Sequence, residues 1–442
     1  MSQRPYENTD VICENISYND LGHLTFAGHD LSELAKEYGT PTYFIDEERV
    51  RNRCRTYVDA VKKAFGDKGR VYYASKASSF KRIYEILKEE GLGVDVVSSG
   101  EIYTANLAKF PMENSMFHSN NKTDADISYG IDSGVGYFVV DNVEELDAID
   151  KIAEQKGKIQ PVILRLTPGI DTHTYEAVNT GKVDSKFGSA IETGQAKEIT
   201  EVALKCKNIR LCGFHCHIGS QVFDSKVYIA AAEKMLDFVA LVNTSLGFKC
   251  EILDIGGGYG VRYVASQPEI DIASNIAEVG RFITEKCDSL QIDMPIICFE
   301  PGRSIIADAG LTLYTVGTVK RIPNYKNYVS VDGGMPDNIR FALYNAPYTV
   351  IPVVNTDAGR DMQCSVVGRC CESGDIIQEN VYLPSDIHRG DLIACLTTGA
   401  YHYSMASNYN KIPRPPIVML TKDGSYYAVK RETIERLAEL DI

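Results

Sequence analysis

The chain has 442 residues, with 46 Lys and Arg against 60 Asp and Glu, for a formal net charge of −14. Hydrophobic content of 44% and charged content of 24% are those of a globular protein, so wholesale disorder is excluded and a core can form without disulfide or metal staples. The acidic balance argues against nucleic acid or an anionic membrane as the main partner, while leaving one basic pocket open.

The first twenty residues lack the apolar stretch of a secretion signal, and no uninterrupted apolar run of about 18 residues suggests a membrane span. Twelve cysteines without a paired framework read as reduced thiols of a cytoplasmic protein. At about 150 residues per domain the length allows three units, or two if one is a large barrel.

In chain order, residues 1–44, with the short apolar run His23–Phe26, are expected to join a β-rich domain formed mainly by residues 309–442. Residues 45–308 alternate strand and helix patterns. The strands expected are Val71–Ala74, Val94–Val97, Ser115–His118, Tyr137–Val140, Pro161–Leu166, Leu211–Ile218, Ile252–Ile255 and Ile296–Phe299. Between them the helical patterns are Ser79–Glu90, Gly100–Lys109, Thr123–Ser133, Val143–Lys156, Thr193–Lys205, Lys226–Leu246 and Ile272–Cys287, and a further helical segment precedes the first strand. In Val143–Lys156 the residues Val143, Leu146, Ile149 and Ile152 form one apolar stripe. Eight βα units over about 260 residues are the arithmetic of an α/β (β/α)8 TIM-type barrel, with an open doubly wound sheet as the alternative. Beyond residue 310 short strands predominate: Leu311–Arg321, Tyr325–Val331, Cys364–Arg369, Leu392–Thr397 and Ile417–Leu420, then a helix at Glu432–Leu440. This is the pattern of a C-terminal antiparallel β-domain.

Catalytic groups of parallel barrels sit on loops leaving the C-terminal strand ends. Those loops carry Lys76, then His217, Gly219 and Ser220, then Gly256, Gly257 and Gly258, then Glu300, Pro301, Gly302 and Arg303. The triple glycine admits an anion close to the backbone, and the last two loops are the usual phosphate position. A tight turn explains three glycines equally well until that placement is considered. Lys76 ends an apolar strand, where partial desolvation favours a free amine over a solvated charge. A free amine near a phosphate site suggests a covalent link to an aldehyde cofactor, pyridoxal 5'-phosphate. Glu300 could then keep the pyridine nitrogen protonated, and His217 could lie on the ring. His215, Cys216 and His217 also invite a zinc reading, but strand alternation separates them, and no second cysteine–histidine cluster has metal-site spacing. His215 is expected to be a hydrogen-bonded core residue and no metal is expected.

The motifs Tyr73-Ala-Ser-Lys76-Ala, Asp95-Val-Val-Ser-Ser-Gly-Glu101, His217-Ile-Gly-Ser-Gln221, Gly256-Gly-Gly-Tyr-Gly260, Glu300-Pro-Gly-Arg303, Asp332-Gly-Gly-Met335, Cys371-Glu-Ser-Gly-Asp375 and Gly399-Ala-Tyr401 occur in this order. Together they resemble the pyridoxal-phosphate enzymes of the alanine racemase/ornithine decarboxylase fold, and within them the diaminopimelate decarboxylase family. The resemblance runs from about Tyr38 to Ile417.

The resemblance implies that Lys76 bonds the cofactor and that Glu300 partners its ring nitrogen. It implies further that His217 stacks on the ring, and that Ser220, Gly258, Gly302 and Arg303 bind the phosphate. Tyr401 would contact the cofactor, while Arg303, Arg340, Tyr344, Glu372 and Tyr401 would bind the amino-acid substrate. Cys371 would donate a proton, and Cys371 and Glu372 would serve the partner subunit of a homodimer with shared active sites. The implied reaction converts meso-2,6-diaminopimelate to L-lysine and carbon dioxide. Arg303 and Arg340 suit its distant carboxylate and Glu372 its ammonium. Decarboxylation of ornithine, lysine or arginine, racemisation, and cofactor binding without catalysis are the alternatives. Ser75 stands where many relatives carry valine, and of the adjacent thiols Cys370 and Cys371 the second is favoured because it directly adjoins Glu372-Ser-Gly-Asp375.

Overall fold

The computed structural model describes residues 12–170, 186–354 and 359–442. They divide into two compact units: Arg51–Gly260 with Glu269–Ser304, and Val261–Pro268 with Ile305–Ile442 and the segment that ends at Val50.

The first unit is a closed barrel of eight parallel strands. They are Gly69–Ala74, Gly93–Val96, Ser115–Phe117, Tyr137–Val140, Gln160–Thr167, Ile209–His215, Ile252–Asp254 and Ile296–Phe299, each paired with the next. Ile297 pairs with Gly69 and Phe299 with Val71, which closes the ring and removes the open-sheet alternative. The two-residue strand Ser189–Ala190 adds to the fifth strand. Tyr72, Met116, Val139, Ile163, Cys212, Ile252 and Cys298 fill part of the interior.

Local chemistry starts the helices where the sequence suggests. Thr123 caps Asp124–Asp132 in a reciprocal pair with Asp126, and Asn142 caps Val143–Gln155 through the Glu145 N–H. Val143, expected on the apolar stripe of that helix, is 42% exposed because it is the first helical residue. The buried stripe is Glu145, Leu146, Ile149 and Ala153. Glu145 tolerates burial because Lys122 Nζ donates to Oε1 at 2.6 Å and the Asp141 N–H to Oε2 at 2.8 Å.

The sixth strand ends at His215, earlier than Ile218, and its register shifts between Leu211 and Gly213. A Cβ on Gly213 would lie 1.8 Å from the Ile252 carbonyl oxygen, so only glycine allows the two strands to approach there.

The second unit is a mixed sheet in the spatial order Ile376–Leu383, Met362–Val367, Lys326–Val331, Gly310–Ile322, Thr42–Asp46, Ile417–Thr421 and Gly424–Val429. Leu392–Leu396 also pairs with Gly310–Ile322, and Val350–Pro352 pairs with Leu392–Leu396. Most pairs are antiparallel, as expected. Lys326–Val331 with Met362–Val367 and Thr42–Asp46 with Ile417–Thr421 are parallel. The hairpin Ile16–Tyr18 and Leu24–Phe26 buries Leu24 and Phe26 against Phe44, Leu311, Leu313, Val418 and Leu420. Residues 1–11 of the N-terminal segment assigned to this domain lie outside the described residues.

The helix expected at Glu432–Leu440 is only a 3-10 turn at Glu435–Ala438, whose residues bury no side chain. An isolated helix that short has no packed face to hold it. Gly213→Ala is expected to lower the melting temperature by at least several degrees, as overpacking against a backbone oxygen requires; differential scanning calorimetry checks this.

Candidate active site

The eighth barrel strand hands over to Glu300, whose side chain is 5% exposed. Its Oε1 accepts from His118 Nε2 at 2.7 Å and its Oε2 from His215 Nε2 at 3.0 Å. His118 follows the third strand and His215 ends the sixth, and their rings meet edge to face at 4.8 Å. Burial opposes the charge on Glu300, but the two imidazole donors outweigh it and hold the carboxyl well below its ordinary value. Burial also pushes His118 down to about 4 and lowers His215. Both rings are therefore neutral at pH 7, each with its proton on the nitrogen facing the carboxylate. His118, His215 and Glu300 form a group with metal-ligand atoms, but the hydrogen bonds account for its spacing.

Two further buried ionisable residues lie near this centre. Asp95, in the second strand, lies 3.8 Å from His118 Nε2, and burial and the Glu300 charge raise its carboxyl well above normal. Arg165, inside the fifth strand, has an 11% exposed side chain 4.0 Å from Asp141. Burial lowers its pKa, against the pull of Asp141, Glu300 and Asp95.

Lys76 sits on the turn Ser75–Ala77 after the first strand. Its side chain is exposed, contrary to the desolvation expected from the apolar strand, because that strand stops at Ala74 and the turn carries Lys76 out of the end. Its charge reaches Asp95, Glu101 and His217. His217, partly buried, is driven well below its ordinary value by burial and then by Lys76, which leaves a neutral ring.

The anion cradle lies on the sixth, seventh and eighth loops. Gly256 and Gly258 have φ of +73° and +107°. A Cβ on Gly257 would sit 2.0 Å from the Glu300 carbonyl oxygen, and one on Gly258 would sit 2.3 Å from that of Gly219. The Val222 N–H donates to Gly258 O and the Gly260 N–H to Val222 O, both at 2.9 Å, which ties the sixth and seventh loops together. Arg303, 7% exposed, donates from Nη2 to Ser220 Oγ at 2.9 Å. Gly302 packs on Ala74, where a Cβ would come within 2.9 Å of the Ala74 methyl. Closely packed glycine backbone, the Ser220 hydroxyl and the Arg303 guanidinium thus come together on these loops, a set suited to a phosphate. With Lys76 and the Glu300 anion, the residues fit pyridoxal phosphate.

The β-domain carries two further groups. Arg340 opens the helix Arg340–Tyr344, with its guanidinium carbon 4.7 Å from the Tyr344 ring and 5.1 Å from the Tyr401 ring. It is 7% exposed, and its Nε has no acceptor. A buried guanidinium N–H left in this way suits an incoming carboxylate.

The other group is the turn 368–375. Asp375 accepts from the Met335 N–H at 2.5 Å and the Cys370 N–H at 2.7 Å. The Cys371 N–H donates to Asn410 Oδ1 at 3.0 Å. Burial and then Asp375 push the Cys370 thiol up to about 12, whereas Cys371 is exposed. Glu372 is also exposed, and hydrogen bonds from the Gly374 N–H and the Ser373 hydroxyl lower its pKa.

Sequence reasoning named Lys76, His217, Ser220, Gly258, Glu300, Gly302 and Arg303 on the barrel, and Arg340, Tyr344, Cys371, Glu372 and Tyr401 on the β-domain. It assigned no role to His118, Asp95, Arg165 or Asp254. Their signal was a charged or ring-polar residue set inside or directly after an apolar strand, a costly place for one.

Comparison with known proteins decides the family. Residues 48–307 match the model of the pyridoxal-dependent decarboxylase, pyridoxal binding domain. The chain is 41% identical over 424 residues to diaminopimelate decarboxylase of Bacillus subtilis (strain 168), covering 96% of each protein. It is 42% identical to the enzyme of the same name from Staphylococcus aureus (strain COL), over 96% of this chain and 98% of the relative.

The chain belongs to the diaminopimelate decarboxylase family.

Among solved structures, the family member from M. jannaschii in complex with L-lysine superposes with a TM-score of 0.90, at 33% identity over 97% of this chain and 98% of that one. The lysine/ornithine decarboxylase of Vibrio vulnificus in complex with putrescine gives 0.73, at 25% identity over 88% of this chain and 97% of that one. The barrel of this family member is accordingly a pyridoxal-phosphate domain, and its enzyme class is the carboxy-lyases.

A histidine whose folded pKa is depressed takes up a proton only in the unfolded chain between the two values. For His118 that window runs from about 6.5 down to about 4, so its contribution is present above the window and lost as pH falls through it, on the order of 3 kcal/mol in all. The melting temperature is expected to fall over this range. His118→Gln, which keeps an N–H for Glu300 without titrating, is expected to flatten the fall, as thermal melts at stepped pH check.

Proposed function

We propose that this protein removes carbon dioxide from meso-2,6-diaminopimelate to give L-lysine, using pyridoxal 5'-phosphate. The observation that carries the reading is Glu300, a buried carboxylate kept ionised by two neutral imidazoles in a barrel that also holds a lysine and an anion cradle. When bound, pyridoxal phosphate supplies an aldehyde carbon for an amino group and a protonated ring that accepts the electron pair left by departing carbon dioxide.

The chain's own residues then have separate tasks. Lys76 Nζ is the amine that would hold the cofactor's aldehyde carbon until a substrate amine takes that place. Glu300 keeps a proton on the ring nitrogen, because an anion beside that proton stabilises it. The neutral His217 ring offers a flat face without a competing charge. Ser220, Arg303 and the Gly258 backbone fix the phosphate, and Tyr401 borders the cofactor.

At the far end of the substrate, Arg340 binds the carboxylate, with Tyr344 and Tyr401 holding its guanidinium between their rings. Arg303 assists it, and Glu372 takes the ammonium. Cys371 Sγ–H donates the proton that replaces the lost carboxyl group. A thiol positioned at the reacting carbon can serve as a general acid. Cys370 is the weaker choice, since Asp375 and burial retain its proton. Because Cys371 and Glu372 are exposed on one chain, we assign them to the active site of a second subunit in a homodimer. Twelve cysteines that form no disulfide suit the cytoplasm, and no helix among the described residues is long and apolar enough to cross a membrane.

The reading is tested by incubating purified holoprotein with meso-diaminopimelate or with ornithine and identifying the products. L-Lysine and carbon dioxide are expected, and faster turnover of ornithine would overturn the substrate assignment. Cys371→Ala is expected to keep the cofactor absorbance while losing about 10²–10⁴ in kcat, the usual yield of a positioned acid. Cys370→Ala is expected to stay within a few fold of wild type. The reverse ranking would transfer the role to Cys370.

A further inference from the structure

Asp254 ends the seventh barrel strand and is completely buried, yet neither the cradle nor the proton transfers above use it. Its Oδ1 accepts the Gly256 N–H at 2.7 Å, which fixes the first glycine of the anion cradle. Its Oδ2 is equally buried and faces no hydrogen-bond donor. The strand places it beside His215 on one side and Cys298 on the other, two residues before Glu300. The carboxyls acting most strongly on it are those of Glu300 and Asp95, and both oppose its ionisation.

Two carboxyls side by side in a dry interior cannot both ionise. Glu300 has two imidazole donors, so the negative charge stays there and a proton stays on Asp254. We propose that Asp254 is a neutral positioning residue whose Oδ2–H donates to Glu300 while its Oδ1 holds the Gly256 N–H. An ionised carboxylate offers about four acceptor sites. His118, His215 and Asp254 fill three, which leaves Glu300 aimed with one free for a ring N–H. The same side chain thereby locks the anion cradle to the partner of the ring nitrogen. Burial and the Glu300 charge, which raise the Asp254 carboxyl well above its ordinary value, agree with this.

The role toward the cofactor rests on the proposed function, whereas the location of the proton does not. In the apoprotein at neutral pH, the infrared difference between wild type and Asp254→Asn is expected to contain the carbonyl band of a protonated carboxylic acid. A carboxylate band instead would overturn the proposal. Asp254→Asn reproduces the neutral side chain, with an amide N–H for Glu300 and an oxygen for Gly256. It is expected to hold pyridoxal phosphate within about threefold of wild type, while Asp254→Ala weakens it by about tenfold or more. Equal loss in both folded variants would overturn the positioning role. Failure of wild-type protein to bind the cofactor would sink the proposed function and leave the infrared result standing.

Discussion

A single negative charge, buried at the C-terminal ends of the barrel strands, organises the surrounding structure. An isolated carboxylate in such a place would normally take up a proton. Glu300 does not, because strands three and six each deliver an imidazole N–H to one of its oxygens. The charge in turn explains the neutral histidines and the raised carboxyls of Asp95 and Asp254. It also helps Arg165, buried in the fifth strand, to remain a cation. These residues come from six different strands, and the barrel must close before His118 of the third reaches Glu300 after the eighth.

The backbone is shaped around the same point. Gly257 is required because the Glu300 carbonyl approaches where a side chain would be, and Gly258 because the Gly219 carbonyl does. The anion cradle and the buried charge are therefore parts of one close contact between the sixth, seventh and eighth loops. Arg303, three residues beyond Glu300, extends it to Ser220. A phosphate and a ring nitrogen need groups of opposite sign, and this arrangement supplies both from adjacent loops.

Much of this is legible in the sequence. The eight barrel strands have a dense apolar pattern, and each emerged within a few residues of its expected range, because parallel strands buried on both faces leave little ambiguity. Lys76, the glycines, Glu300 and Arg303 were found from their places after those strands. The short strands Thr42–Asp46, Val350–Pro352, Ile376–Leu383 and Gly424–Val429 were not expected. Thr42–Asp46 is buried throughout and shows no alternation; Val350–Pro352 ends in a proline. Lys76 is exposed rather than desolvated because the apolar pattern, which ends the strand correctly at Ala74, does not show the turn Ser75–Ala77 that carries the side chain outward. His118, Arg165 and Asp254 were missed because their meaning lies in which strands become neighbours. On the β-domain, the sequence favours Cys371 over Cys370 only by its place directly before Glu372-Ser-Gly-Asp375. The fold separates them by turning Cys370 toward Asp375 and Cys371 toward solvent.

The central claim is that a buried, ionised Glu300 keeps a proton on the cofactor ring. The nitrogen-15 resonance of ring-labelled pyridoxal phosphate in the holoprotein reads that proton directly. A protonated nitrogen at neutral pH in wild type, and an unprotonated one in a folded Glu300→Gln variant that still binds the cofactor, is the predicted result. An unprotonated nitrogen in wild type, or the same state in both proteins, would contradict the account.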